Sequence, residues 1–247
     1  MTDEQHSDLD YDTLVTRKSL CDSEMEYFLN EYGVQPFYNL ESITDKQAAM
    51  LGGFDVVCLF SVRALTDHQV ELLGRVSKIV LGLTQLTDIQ ARSLSKCKHV
   101  CLNSLKQVTT SQCVLLQNAE LITLNGLKSI STECAIALGN VDRVSLSGLK
   151  TITPNQIAGL NATSNVSSSL NLSGLETLTD AQAEALGEGG RTTLILDGLR
   201  QLTEPQSEMI SKCRELFLDG LASITVRQAE ALGKCRSLSL SLSLIHI

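Results

Sequence analysis

Along most of the chain the apolar positions recur in one order. Two aliphatic residues flank a single variable one, as in Leu170-Asn171-Leu172 and Leu194-Ile195-Leu196. A small polar residue and Gly follow, then Leu, then an aliphatic residue beside a hydroxyl residue, then Gln, Ala and a closing Leu-Gly. The unit reads LxLxGLxxLTxxQAxxLG, with clear copies in "LNLSGLETLTDAQAEALG" from Leu170, "LILDGLRQLTEPQSEMIS" from Leu194 and "LFLDGLASITVRQAEALG" from Leu216. Alternation in LxL sets the outer residues on one side of an extended segment and the middle one on the other, which predicts a short strand. The pairs Asn125-Gly126, Ser147-Gly148, Ser173-Gly174, Asp197-Gly198 and Asp219-Gly220 suit a tight bend with positive φ, so each strand is expected to stop there.

The T-x-x-Q that comes next is a capping box: the hydroxyl accepts from the backbone N–H three residues on, and Gln reaches back to the cap N–H. It predicts helix starts at Thr44, Thr66, Thr87, Thr109, Ser131, Thr153, Thr179, Thr203 and Thr225. The residue before each cap is aliphatic (Ile43, Leu65, Leu86, Val108, Ile130, Ile152, Leu178, Leu202, Ile224) and so placed to pack on the fourth helical position. Asp45, Asp67, Asp88, Asp180 and Glu204 follow the cap, where the helix dipole favours an acid, and Pro154 stands where a missing N–H costs nothing. Gly52, Gly74, Gly139, Gly187 and Gly233 are expected to end helices as C-caps.

The caps follow one another at spacings of 22, 21, 22, 22, 22, 26, 24 and 22 residues. A strand, a turn and a two-turn helix of that length cannot bury an apolar face alone, so stability has to come from stacking each unit on the next. The predicted fold class is α/β: a solenoid with parallel strands on one face and short capped helices on the other. These units resemble leucine-rich repeats, departing from LxxLxLxxNxL by the GL after the strand and the capped TxxQA helix. They are similar to variant repeats of large bacterial proteins. The resemblance covers residues 38–240, about nine repeats, and implies a recognition solenoid.

The ends read differently. Residues 1–37 are expected to form an acidic tail and an N-terminal cap: eight of the nine aromatics lie in the first quarter of the chain, and "SLCDSEMEYFL" from Ser19 keeps a degenerate cap-and-helix pattern. Residues 241–247 are expected to be a non-native tail. LSLIHI is the conceptual translation of CTG TCT CTT ATA CAC ATC, which resembles a transposase sequencing adapter, so the chain is expected to be a fragment.

Charge adds limits. The net charge of −8 is concentrated early, with nine acids in residues 1–31 against Arg17 and Lys18, and the repeats are nearly neutral. With no basic patch interleaved with aromatics, nucleic acid is not the expected partner, and the acidic balance argues against anionic membranes. The start MTDEQHSDLD has neither a basic stretch nor an apolar core, which points to a cytoplasmic protein, with a surface or secreted one as the alternative. Eight cysteines without CxxC pairs fit reduced thiols better than a disulfide framework.

Candidate chemistry is sparse. His6, His68, His99 and His246 are scattered, and no HExxH, GxSxG or phosphate-loop spacing occurs, so no catalytic residue is assigned and no enzyme is expected. Cys97, His99 and Cys101 have short, metal-like spacing. Yet Cys97 shares a phase with Cys213 and Cys235, three residues before a strand leucine or valine, where other units carry Val76, Ala119 and Val141. A small buried slot explains it better, and neither metal nor cofactor is expected. Asn161, Asn165 and Asn171 start glycosylation-type triplets around an Asn/Ser-rich insertion "NATSNVSSS", which accounts for the 26-residue spacing.

The most informative surface is the column of middle strand residues: Cys58, Val80, Cys101, Thr123, Ser145, Asn171, Ile195, Phe217 and Ser239. Stacked in register they make one face with apolar ends and a polar middle. Phe217, the only aromatic of the later repeats, stands beside Ile195, a pairing typical of interface anchors. The expected function is a non-catalytic scaffold that binds a protein partner through the first eight residues of this column. Two alternatives stay open on sequence: a structural or surface-display array, and the substrate-recognition part of a larger enzyme.

Overall fold

The computed structural model describes residues 20, 22, 25, 29, 37, 39–161, 168–189 and 191–241. Residues 162–167 of the insertion and 242–247 of the tail lie outside them, as does most of the acidic segment. Nine strands are described: β1 (Val56–Leu59), β2 (Lys78–Leu81), β3 (His99–Cys101), β4 (Leu121–Thr123), β5 (Arg143–Ser145), β6 (Ser169–Asn171), β7 (Thr193–Ile195), β8 (Glu215–Phe217) and β9 (Ser237–Ser239). They pair in parallel, in chain order, as one open sheet. Alternating with them are α1 (Asp45–Leu51), α2 (Asp67–Leu73), α3 (Asp88–Leu94), α4 (Thr110–Leu116), α5 (Thr132–Leu138), α6 (Pro154–Leu160), α7 (Asp180–Gly187), α8 (Glu204–Ile210) and α9 (Val226–Leu232), each packed on its neighbours in sequence.

Helices of seven or eight residues are too short to persist alone, since nucleation costs more than two turns return. Two features hold them. The inward leucines, valines and isoleucines of all rungs fuse into one continuous core, from Leu20 to Leu232. Each of α1–α9 also begins at the expected hydroxyl residue, whose side chain accepts from the backbone N–H three residues on. Such a cap contributes about 1 kcal/mol.

The Gln of each box has a second task that the capping pattern does not announce. While its Oε1 accepts from its own cap N–H, its Nε2 donates to the carbonyl of the aliphatic residue before the previous cap. Gln90 binds Leu65 O, Gln112 binds Leu86 O and Gln206 binds Leu178 O, at 2.8, 2.6 and 3.0 Å. Gln47 binds Leu20 O in the same way and Thr44 donates to Asp22, as Thr87 does to Asp67. Leu20 and Asp22 therefore stand one rung before Ile43 and Asp45, and Met25 falls at the fourth helical place, fully buried.

One rung breaks the ladder. Ser131 caps α5, but the residue three on is Cys134, and the structure joins it to Cys113 of α4 in a disulfide with Cα atoms 5.3 Å apart. The expectation of reduced thiols throughout is corrected at this pair. Stacking sets the third helical position of one unit beside the fourth of the unit before, so cysteines 21 apart in sequence become neighbours.

The glycines are where expected, for a different reason. None of those described lies in the left-handed region, and Gly52, Gly74, Gly139 and Gly233 close their helices with φ between −60° and −67°. Gly187 belongs to α7, which is capped by Glu188. What requires glycine is the next rung: a Cβ on Gly139 would lie 2.0 Å from Gly159 O, and one on Gly148 would lie 2.0 Å from Asn125 O. Close stacking of backbones, not a left-handed turn, selects these residues.

The slot before the strand is buried at Val76, Cys97, Ala119, Val141 and Cys213, and half-buried at Cys235. In the unit after the insertion this slot holds Arg191, only 4% exposed. Its guanidinium is held by backbone carbonyls: Nε and Nη2 on Leu160 O, Nη1 on Val141 O and Asp142 O, with longer contacts to Ser169 O and Gly139 O. Burial pulls its pKa down to about 10, with Asp142 opposing, so it remains a cation at neutral pH.

Candidate functional site

Register places the sequence-selected residues in a single line. Cys58 pairs with Val80, Val80 with Cys101, and so on through Thr123, Ser145, Asn171, Ile195 and Phe217 to Ser239. All nine are half-buried, because at strand spacings of about 4.8 Å each side chain shields its neighbours. A second line runs two residues earlier: Val56, Lys78, His99, Leu121, Arg143, Ser169, Thr193, Glu215 and Ser237. A third lies two residues later and is tied by rung-to-rung bonds: Asn125 N–H donates to Asn103 Oδ1, Ser147 N–H to Asn125 Oδ1 and Asp219 N–H to Asp197 Oδ1.

The face has three zones. At its start Val56 and Phe60 are 39% and 47% exposed beside Cys58, an apolar end. At the far end Ile195 and Phe217 are register partners. Between them the earlier line turns cationic. Arg143 Nη2 lies 3.0 Å from His99 Nε2, Lys98 pairs with Glu120 at 3.5 Å, and His99 Nε2 stands 3.9 Å from Glu120. Burial first, then Arg143 and Lys78, hold His99 below the ordinary imidazole range, with Glu120 opposing. A cavity of about 140 Å³ opens beside this cluster, between Leu121, Thr123, Arg143, Asn171 and Ile195. Thr123 Oγ1 is buried there without a hydrogen-bond partner among the described residues.

No protein-family model matches the chain, and no curated protein matches it in sequence. Solved structures do resemble it. The TLR13–ssRNA13 complex superposes with a TM-score of 0.51 at 17% identity, over 83% of this chain and 35% of that one. The Toll–Spatzle complex of Drosophila superposes with a TM-score of 0.57 at 12% identity, over 83% of this chain and 30% of that one. Both are leucine-rich-repeat proteins. The fold is a leucine-rich-repeat solenoid. The chain spans about a third of the length of these solved chains, and at such identity the likeness is one of fold.

Within this leucine-rich-repeat solenoid the remaining candidates separate. Cys97 points into the core and burial lifts its thiol to about 11, whereas Cys101 and His99 stand in the two outward lines. Among the described residues no three His, Cys, Asp or Glu side chains converge on a point, and no helix is long and apolar enough to cross a membrane. Cys213 and Cys235 sit on adjacent rungs, with sulfurs against Leu186 O and Ser211 O; burial lifts Cys213 to about 12. Of the insertion, only Asn161 and residues 168–169 are described; Asn161 Nδ2 donates to Ala185 O.

Sequence reasoning missed Val56, Phe60 and the cluster of His99 and Arg143. The signal was available: a strand's outward residues recur every second position, so the place two before each selected residue faces outward as well.

Proposed function

We propose that this chain is a non-catalytic scaffold that binds a protein partner through the strand-lined face of its solenoid. The single observation that carries this is the unbroken register from Cys58 to Ser239, which turns nine separate side chains into one rigid surface. Rigid pre-alignment lowers the ordering cost of association, and the apolar pair Ile195–Phe217 supplies an anchor of the kind that dominates interface energetics. Solved solenoids of this shape occur in complexes with a protein, Spatzle, and with an RNA, ssRNA13. A protein is the better reading because Phe60 and Phe217 are the only aromatics on the three outward lines and stand at opposite ends, leaving the cationic middle without stacking platforms for bases.

The test is site-specific photo-crosslinking. A benzophenone side chain replaces Phe217 on the strand face or Ile136 on the helical face, and the full chain is irradiated in an extract of the cells that express it. A discrete protein adduct from position 217 that disappears in Ile195→Ala, with none from position 136, is the expected result. Equal adducts from both faces would sink the assignment.

A further inference from the structure

We infer that the cavity at the centre of the strand face is a subsite for the carboxylate of an acidic side chain on an extended protein segment, with Arg143, Thr123 and Asn171 as its donors. This deepens the scaffold reading and rests on it. The cavity is lined by a surplus of hydrogen-bond donors. Among the described residues the Arg143 guanidinium donates to His99 alone, and it carries five N–H donors and no acceptor. Asn171 Oδ1 already accepts from Ser173 N–H, so what the side chain has left is its amino group. Ser145 has donated its hydroxyl to Asn125. Thr123 Oγ1 is buried and has no hydrogen-bond partner among the described residues. A carboxylate is acceptor-only and matches this set.

Electrostatics point the same way. Arg143, Lys78 and Lys98 stand around His99 against Glu120; burial comes first in lowering the His99 pKa, and these three cations add to it against the opposing acid, so the balance of charge at this spot is positive. Asp142 is engaged at the other side, where its charge acts on Arg191. The cavity's walls, Leu121 and Ile195, suit the methylenes of a glutamate or aspartate stem.

Geometry then gives the motif. From Arg143 on β5 to Phe217 on β8 is three rungs, roughly 14 Å at the usual strand spacing, and an extended peptide covers about 3.3 Å per residue. An acid in the cavity and a large apolar side chain on Phe217 would be about four residues apart.

The probe is a pair of end-capped nonapeptides, each with Phe four residues from either Glu or Gln in an otherwise Gly/Ser sequence, titrated into the isotope-labelled full chain by NMR. The expected result is that the Glu peptide shifts Thr123, Asn171, Ile195 and the Arg143 side chain, and binds about fivefold or more tightly than the Gln peptide. Arg143→Gln, exposed and so compatible with folding, should erase that preference, and Thr123→Val should reduce it. Equal binding of the two peptides, or a preference that survives Arg143→Gln, overturns the carboxylate subsite. If oligo-uridine gives the same shifts more tightly than the Glu peptide, the choice of a protein carboxylate is overturned. If both peptides shift Ile195 and Phe217 equally, the scaffold reading stands without the subsite; if neither touches the strand face and crosslinking at 217 also fails, both fall.

Discussion

Arg191 Nη1 donates to Val141 O at 2.8 Å, joining residues 50 apart in sequence across the rung that carries the insertion. The donor is a buried cation and its partners are main-chain carbonyls of three successive units, among them Leu160 O at 2.7 Å and Ser169 O at 3.3 Å. In the rungs of Val76, Cys97, Ala119, Val141, Cys213 and Cys235 this slot is filled by a small uncharged side chain. Here the lengthened unit leaves carbonyls facing inward, and a planar five-donor fork satisfies several of them at once.

Arg191→Met keeps the apolar stem and abandons those carbonyls in the interior. The expected cost is about 3 kcal/mol or more, since a buried acceptor left without a donor loses its solvation as well as its bond. Arg191→Lys should recover part of it. The loss should be local in a stacked fold, so amide exchange should accelerate first in β5, β6 and β7 and leave β1 and β2 protected.

The Gln ladder predicts an order of effects within one cap. Thr153 Oγ1 accepts one bond, from Gln156 N–H at 3.2 Å; Gln156 in turn accepts from Thr153 N–H and donates to Ile130 O at 2.6 Å. Thr153→Ala should cost about 1 kcal/mol, the ordinary value of a cap. Gln156→Ala should cost about twice that, because an inter-rung carbonyl is stranded too. Urea unfolding of the two variants checks the ranking; a larger loss from the threonine would show the ladder bond to be idle.

How far the sequence speaks depends on whether a feature repeats. Strand, cap and stacking order were legible because Thr44, Thr66 and their successors state them nine times, and the outward line from Cys58 to Phe217 follows from the same period. The ladder bond of Gln90 to Leu65 O was not, since a capping box accounts for that Gln completely without a neighbour. The disulfide of Cys113 and Cys134 needs the offset between rungs, which only the stack supplies. Arg191 and the cavity beside Thr123 are single departures from the repeat, and a departure acquires meaning only when the groups it meets are known.

Gly139 and Gly233 separate the two explanations for glycine at helix ends. Both close their helices with negative φ, so alanine is conformationally acceptable at each. A methyl at Gly139 meets Gly159 O at 2.0 Å, backbone that cannot give way, whereas at Gly233 the nearest atom is Ala229 O at 3.1 Å. Gly139→Ala should destabilise by about 2 kcal/mol, as overpacking does, and Gly233→Ala should be close to neutral. Equal losses in thermal melts would return the argument to the turn itself.

Cys134 replaces the Gln that every other described cap carries, so the α4–α5 junction exchanges a hydrogen bond for a sulfur bridge. Cys134→Gln should let Nε2 reach Val108 O and Oε1 reach the Ser131 N–H. With reductant present the variant should be more stable than the parent by about 1 kcal/mol, the net value of a buried hydrogen bond. Without reductant the parent should recover the difference or exceed it, because the bridge links successive units. Melting both proteins with and without a thiol reads the crossing; parallel behaviour would mean that the junction does not depend on the bridge.

His99 gives the strand face a pH dependence whose sign follows from its surroundings. Burial, then Arg143 and Lys78, depress its pKa in the folded chain, so folding favours the neutral ring. The stability tied to that depression is fully present above the unfolded pKa of about 6.5 and is lost as pH falls through the folded value. Arg143 Nη2 donates to His99 Nε2 at 3.0 Å, a bond that protonation of the ring abolishes. Arg143→Gln removes the first-ranked cation and should move the His99 titration upward, towards the ordinary imidazole range. Ring proton shifts followed from pH 8 to 5 measure it. If the His99 midpoint stayed where it was, Arg143 would not be the source of the positive field at the centre of the face, and the donor surplus proposed for the cavity would lose its main member.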